Sequence, residues 1–295
     1  MVELLCEAAL AQDIGSRARQ EDAAIAHFAS GAPGGIAVLS DGMGGHDDGD
    51  LAGRIIAAEM FAELYLSAAR KDVLRFDCKA IFGSALGSAN RKLQHHIDQG
   101  HLSGDTGGTL LSVIVTDGTL RWISVGDSPL WLLRGGRLTR LNEVHSLAPQ
   151  IDLMVAAGEI DADTALAGGG RNCLTSAVTG GDIARIDCPE EGLPLCAGDL
   201  LLLASDGVET LDETTLRGLL QRRRHAPAQQ IADALIGAVR RRAGPDQDNS
   251  SVVVIRMRAA TGVRAVLRGW IAGLLDRVLR APAPMLAPVV AERAS

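Results

Sequence analysis

The chain has 295 residues, 47% of them hydrophobic and 22% charged, enough to bury one sizeable core with a small appendage. Its 36 Asp and Glu against 29 Lys and Arg, a formal net charge of -7, exclude nucleic acid as the main partner, because phosphate backbones demand basic stripes. The five cysteines are odd in number and none forms a CxxC pair, Glu3, Glu7 and Asp13 interrupt the apolar start, and no run of about 18 apolar residues occurs; together these predict a reduced, cytoplasmic protein.

In chain order, the short apolar runs Val2 to Ala11 and Ile36 to Leu39 predict buried strands, the second closed by Asp41-Gly42. Apolar residues at Leu51, Ile55, Ala58, Phe61, Ala62 and Tyr65 predict a helix from Asp50 to Ala69, and a second covers Asp72 to Gln99. The period then changes to two. TLLSVIVT, LRWISV, PLWLLR and RLTRL, from Thr109 to Leu141, read as an antiparallel meander with hairpin-type junctions at Asp117-Gly118, Gly126-Asp127-Ser128 and Gly135-Gly136. After Ser146 the chain turns helical, loosens at Gly168 to Gly170 and enters the strand Leu200 to Ser205. Two helices, Asp212 to Arg223 and Pro227 to Arg242, precede a last strand from Ser251. This order predicts an α+β fold, two antiparallel sheets packed face to face with helices outside.

Asp41, Asp127, Asp206 and Asp248 each sit at a strand end, and Glu21-Asp22 adds two more acids. A single strand-Asp-Gly is an ordinary turn. Several carboxylates gathered at one sheet edge repel one another unless cations neutralise them, and hard divalent ions with oxygen ligands are the natural answer.

Arg17 to Asp22 (RARQED), Asp41 to His46 (DGMGGH), Gly107 to Thr109 (GGT), Val125 to Ser128 (VGDS), Arg171 to Val178 (RNCLTSAV), Ala204 to Val208 (ASDGV) and Asp246 to Val254 (DQDNSSVVV) follow in order. This set resembles the metal-dependent serine/threonine protein phosphatases, the type 2C or PPM family, and its bacterial branch above all, over about residues 3 to 258. Each motif alone is weak, and the ordered conjunction carries the resemblance. It implies a four-layer α-β-β-α sandwich, a PPM-type domain over 1–258 with a flap at about 150–181, and a metal site at one edge between the sheets.

The resemblance also implies roles. Asp41, with the Gly42 carbonyl beside it, would bridge two Mg²⁺ or Mn²⁺ ions, glycine following so that backbone and hydrated metal approach closely. Asp206 and Asp248 would complete the first ion's shell, Glu21 would face the second with Asp22 holding its waters, and Asp127 with Asp206 would form a third, weaker site. A water between cations roughly 3.5 to 4 Å apart would attack phosphorus in line, and Arg17 would grip the phosphate with its planar fork. The implied partners are phosphorylated proteins and a cognate Ser/Thr kinase, acting on a monomer.

Two departures stand out. Met43 occupies the position where eukaryotic relatives carry histidine, so that leaving-group acid is absent; His46 and His145 stay outside the catalytic set. GGGRN stands where bacterial relatives often have a histidine-proline pair before RN. A cysteine phosphatase is excluded because no cysteine has arginine six residues later. The rival is a non-catalytic phosphoprotein-binding or scaffold module of the same fold, which is expected to have lost ligands that this chain keeps. Beyond the resemblance, residues 259–295 contain an amphipathic pattern from Val263 to Arg280, expected to dock on a partner helix or an anionic membrane surface or to fold back on the domain, and then an Ala/Pro-rich tail.

Overall fold

A computed structural model describes residues 3–29, 31–44, 48–68, 77–161, 164–165 and 170–260. Leu4–Ala259 forms one compact unit. The amphipathic pattern at 263–280 and the Ala/Pro-rich tail lie outside the described residues.

The first sheet has the order β1 (Leu4–Asp13), β11 (Ser250–Ala259), β10 (Leu200–Ala204), β7 (Leu130–Arg134) and β8 (Arg137–Arg140). The second has β2 (Asp22–His27), β3 (Gly35–Met43), β5 (Leu110–Thr116), β6 (Thr119–Val125) and β9 (Leu193–Pro194), with β4 (Gly107–Gly108) also on β3. Every ladder is antiparallel. Helices α1 (Gly49–Ala68) and α2 (Cys78–Asp98) cover the second sheet, and α4 (Glu213–Arg223) and α5 (Ala228–Arg242) cover the first. The short helix α3 (Ala148–Ala156) buries none of its residues.

Three apolar layers hold this arrangement. Leu111, Val113, Leu201, Leu203, Val253 and Ile255 pack between the sheets. Their strand neighbours point the other way: Leu110 and Ile114 under α1 and α2, and Leu200, Leu202, Val252 and Val254 under α4 and α5. Side chains alternate across a strand, so a strand buried on both faces is apolar at every position. That is why Leu200 to Ala204 reads as a continuous run. The four-layer α+β sandwich predicted from the sequence is the fold observed.

Two helix starts carry side-chain caps, Asp77 accepting from the Ala80 amide at α2 and Asp212 from the Thr215 amide at α4. Arg240, Arg241 and Arg242 fall in the last turn of α5, where the helix dipole favours cations. No helix among the described residues is long and apolar enough to cross a membrane.

Three expectations need correction. β3 does not stop at Leu39 but continues to Met43, because Gly42 and Met43 pair with Gly108 and Gly107 of β4. The run from Thr109 to Leu141 is not one meander: β5 and β6 lie in the second sheet, β7 and β8 in the first, and Gly126-Asp127-Ser128 crosses between sheets rather than closing a hairpin. β2 escaped the pattern search because DAAIAH offers small alanines in place of branched residues; its pairing with β3 makes it a strand.

Candidate metal-dependent active site

The acids come together because of strand direction. β10 ends where β11 begins, with Ala204 opposite Val252, so Asp206 and Asp248 emerge at the same edge. β2 begins where β3 ends, and Asp22 stands directly opposite Asp41. The crossing after β6 brings Asp127 to that edge from the second sheet. Arg17, Glu21, Asp41, Asp127, Asp206 and Asp248 line one cavity of about 750 Å³, to which residues 172–177 also contribute.

Hydrogen bonds hold the pieces in register. The Glu21 amide donates to Asn249 Oδ1 at 2.7 Å, and Asn249 Nδ2 donates to the carbonyls of Ile14 at 2.8 Å and Arg19 at 3.0 Å, so one buried asparagine ties the Arg17-bearing loop to the start of β11. The Asp41 amide donates to Thr109 Oγ1 at 3.0 Å, while the Thr109 amide donates to the Asp41 carbonyl at 2.8 Å. Ser205 Oγ donates to Asp22 Oδ2 at 2.7 Å, joining the two sheets beneath the cavity. Arg17 Nη2 lies 2.6 Å from Asp248 Oδ2, with about half of the arginine side chain exposed.

Crowding and burial raise the carboxyl pKa values. Burial, then Asp22, Asp206, Asp248 and Asp127, pushes Asp41 well above the ordinary carboxylate range. Burial lifts Asp22 to about 6 against hydrogen bonds from Ser205 and Ser251, and lifts Asp206 to about 6 with Asp248 and Glu209 adding to it. Asp127 reaches about 7 through burial, Asp206 and Glu209, with Arg140 opposing. Glu21 is raised by burial against the nearby Arg17. Asp22 Oδ1 and Asp206 Oδ1 are buried without a hydrogen-bond partner. A cluster of hard oxygen donors whose anionic forms are strained, two of them with unpartnered oxygens, fits Mg²⁺ or Mn²⁺.

Each sequence-predicted residue has a location. Arg17, Glu21, Asp41, Gly42, Asp127, Asp206 and Asp248 line the cavity; Asp22, opposite Asp41 on the neighbouring strand, is 5% exposed and does not. Among the described residues no three His, Cys, Asp or Glu side chains close round a point as the ligands of one ion; the acids spread along the wall. The reason given for glycine at position 42 also changes. A Cβ there would meet the Gly49 carbonyl at 1.9 Å and the Glu21 carbonyl at 2.8 Å, so close packing of β3 against the start of α1 demands glycine.

His46 lies outside the described residues. His145 is fully buried, its Nδ1 accepting from the Gly126 amide at 3.2 Å, a structural role consistent with its omission from the catalytic set. Sequence reasoning missed Cys173, whose exposed thiol lines the cavity, and the holding residues Asn249, Ser205, Thr109 and Arg140. Thr109, Cys173, Ser205 and Asn249 all lie within the ordered motifs, which was their linear signal; nothing linear marked Arg140.

No family model matches the chain. The chain is 25% identical over 209 residues to Protein phosphatase PhpP of Streptococcus pneumoniae, covering 70% of this chain and 80% of that one. It is 26% identical over 224 residues to Serine/threonine phosphatase stp of Listeria monocytogenes, covering 75% and 83%. It is 29% identical over 222 residues to Serine/threonine protein phosphatase PstP of Mycobacterium tuberculosis, covering 74% of this chain and 40% of that longer one. Among solved structures, the M. tuberculosis phosphatase PstP/Ppp superposes with a TM-score of 0.70 at 26% identity, over 86% of this chain and 99% of that one. The PstP catalytic domain in complex with two manganese ions superposes with a TM-score of 0.68 at 27% identity, over the same shares.

Proposed function

Given a chain similar in fold and in ordered motifs to the bacterial metal-dependent Ser/Thr protein phosphatases of the PPM class, we propose that it hydrolyses phosphoserine and phosphothreonine on proteins, opposing a Ser/Thr kinase in the cytoplasm. The observation that carries this reading is the convergence of Glu21, Asp41, Asp127, Asp206 and Asp248 with Arg17 on one cavity.

Asp41, Asp206 and Asp248, with the Gly42 carbonyl, would hold the first of two core ions; Asp41 and Glu21 would hold the second, with Asp22 behind Asp41 supporting it. Asp127 with Asp206 would form a third, weaker site. When bound, Mg²⁺ or Mn²⁺ supplies an acidified water as nucleophile and neutralises phosphoryl charge. Arg17 turns from Asp248 to the phosphate and gives two parallel hydrogen bonds to its oxygens, an interaction that its half-exposed side chain can reach. Met43 lines the cavity at the motif position where an imidazole would serve as acid, and in this reading the leaving alkoxide takes its proton from water. The test is turnover of phosphothreonine and phosphoserine peptides with Mn²⁺ and after chelation. Turnover that survives chelation sinks the mechanism, whereas peptide binding without turnover favours the scaffold alternative.

Asp127→Ala is expected to lower turnover or alter its dependence on metal concentration while two ions still bind. Calorimetric titration with Mn²⁺ decides: loss of both tight binding events means that Asp127 belongs to the core site.

The amphipathic pattern at 263–280 supports a further part of the reading, docking on a partner helix or an anionic membrane surface through its apolar face and arginines. Deleting residues 261–295 is expected to leave peptide turnover and thermal stability intact while reducing recovery with anionic vesicles. Aggregation of the truncated protein means that the stripe is part of the fold.

A further inference from the structure

Segment 140–145 grips the crossing between the sheets at three successive residues. Arg140 Nη2 donates to the Asp127 carbonyl. Asn142 Nδ2 donates to the Ser128 carbonyl at 3.0 Å, while its Oδ1 accepts from the Leu130 amide at 2.8 Å. His145 accepts the Gly126 amide on Nδ1 at 3.2 Å and donates its own amide to the Gly126 carbonyl at 3.0 Å. The turn needs such support because Gly126 has φ 101°, and any Cβ there would come within 2.7 Å of the Thr109 side chain.

Of the three holders, Arg140 is the one that reaches the turn carrying Asp206. It is the last residue of β8, and its Nη1 lies 3.2 Å from Glu209 Oε1, in the 3₁₀ turn Asp206–Thr210 that begins with Asp206. One largely buried guanidinium therefore spans the turn carrying Asp127 and the turn carrying Asp206. Its contact with Asp127 is to the carbonyl, which leaves the carboxylate oxygens to the cavity, and its charge faces both Asp127 and Glu209. Arg17 stands at the exposed Asp248 end of the acid row, and Arg140 at the buried Asp127 end.

We propose that Arg140 is a positioning residue for the active site, setting the separation and orientation of Asp127 and Asp206 through its simultaneous hold on the Asp127 carbonyl and the Glu209 carboxylate. The proposal rests on the metal-dependent reading of the cavity and adds a residue to it. A planar fork is required, since a lysine ammonium reaches one acceptor as a point charge but cannot hold two turns at a fixed spacing. Groups that orient ligands from behind typically govern activity or metal affinity by about 10- to 100-fold, which sets the effect to look for.

The experiment compares wild type, Arg140→Gln, Arg140→Lys, Asp127→Ala and the double variant Arg140→Gln/Asp127→Ala. Calorimetric Mn²⁺ titration and phosphopeptide kinetics are run on each. Arg140→Gln is expected to reproduce Asp127→Ala: kcat lower by about tenfold with KM little changed, the same altered metal dependence, and two tight Mn²⁺ events retained. Arg140→Lys is expected to restore less than half of the lost kcat. The double variant is expected to be no worse than Asp127→Ala alone, because both changes remove one unit. Multiplicative losses in the double variant, or an Arg140→Gln protein with wild-type turnover and metal titration, overturn the proposal. If Arg140→Gln melts early, Glu209→Gln, which releases one arm at an exposed carboxylate, carries the same comparison, and wild-type behaviour in that variant overturns it. A wild type without Mn²⁺-dependent turnover fails the reading of the cavity itself, and the positioning claim is then decided by the variants' Mn²⁺ titrations.

Discussion

Asp206→Asn is expected to cut turnover by at least about 10³-fold while leaving the metal-free protein folded and more stable than wild type at pH 8. Asp206 has Asp248 and Glu209 as charged neighbours and an unpartnered buried oxygen, so a neutral amide there removes a ligand and relieves repulsion in the same step. Kinetics with saturating Mn²⁺ and melting in chelator check the two halves separately. More than a tenth of wild-type turnover, or a lower melting temperature at pH 8, contradicts the assignment.

The same carboxyls set the pH dependence of the metal-free wild type. Asp22 and Asp206 titrate at about 6 and Asp127 at about 7 in the folded protein, all above the ordinary Asp value. Between about pH 4 and pH 7 the folded state therefore binds more protons than the unfolded chain. Stability from these groups is fully present below the unfolded pKa and is lost as pH rises through 6 to 7. Melting in chelator is expected to fall across that window, and Mn²⁺ at pH 8 to reverse the fall by binding the folded state alone. A chelated protein that gains stability from pH 5 to pH 8 would show that other groups dominate.

Arg17→Ala is expected to have the second large effect, about 100-fold on kcat/KM, through loss of the bidentate grip on phosphate. The salt bridge with Asp248 gives a second consequence of opposite sign. Arg17 occupies, at 2.6 Å, a carboxylate oxygen that the metal-dependent reading assigns to an ion, so its removal is expected to tighten Mn²⁺ binding while turnover falls. Calorimetry in the absence of substrate reads this directly. Weaker Mn²⁺ binding in Arg17→Ala means that the arginine supports the metal ligands rather than competing with them. Arg17→Lys is expected to keep the competition and lose most of the grip, because an ammonium lacks the fork.

Much of the fold was legible because burial on both faces leaves a strong mark. The stretches Val113 to Val115, Leu200 to Ala204 and Val252 to Ile255 are continuously apolar, and α2 and α5 bury one regular face each. β2 was invisible for the opposite reason: alanines between Asp22 and His27 carry too little hydrophobic contrast, and the strand exists through pairing with β3. The acids at strand ends were legible as a set, since aspartate next to glycine interrupts an apolar run conspicuously. Their supporting contacts were not: Ser205 and Asn249 lie in the motifs without a visible role, and Arg140, Asn142 and His145 look like ordinary strand-end and loop residues until their partners are known.

The sequence by itself determined the class of elements, their order, the chemistry of hard oxygen donors with one accessible arginine, and the absence of a cysteine nucleophile with its arginine. These are properties of residue type and local spacing, and local physics suffices to read them. Only the tertiary structure decided that Gly126 to Ser128 crosses between sheets instead of closing a hairpin, since both turns use glycine and aspartate and differ only in which strands pair on either side. It also decided that Gly42 answers to the Gly49 carbonyl, that Asp22, opposite Asp41 on the neighbouring strand, is buried and does not line the cavity, and that Arg140 joins two aspartate-bearing turns. Each of these depends on contacts between residues far apart in the chain, and the pairing of strands that creates such contacts is selected by the packing of the whole sandwich, which no short window of sequence contains.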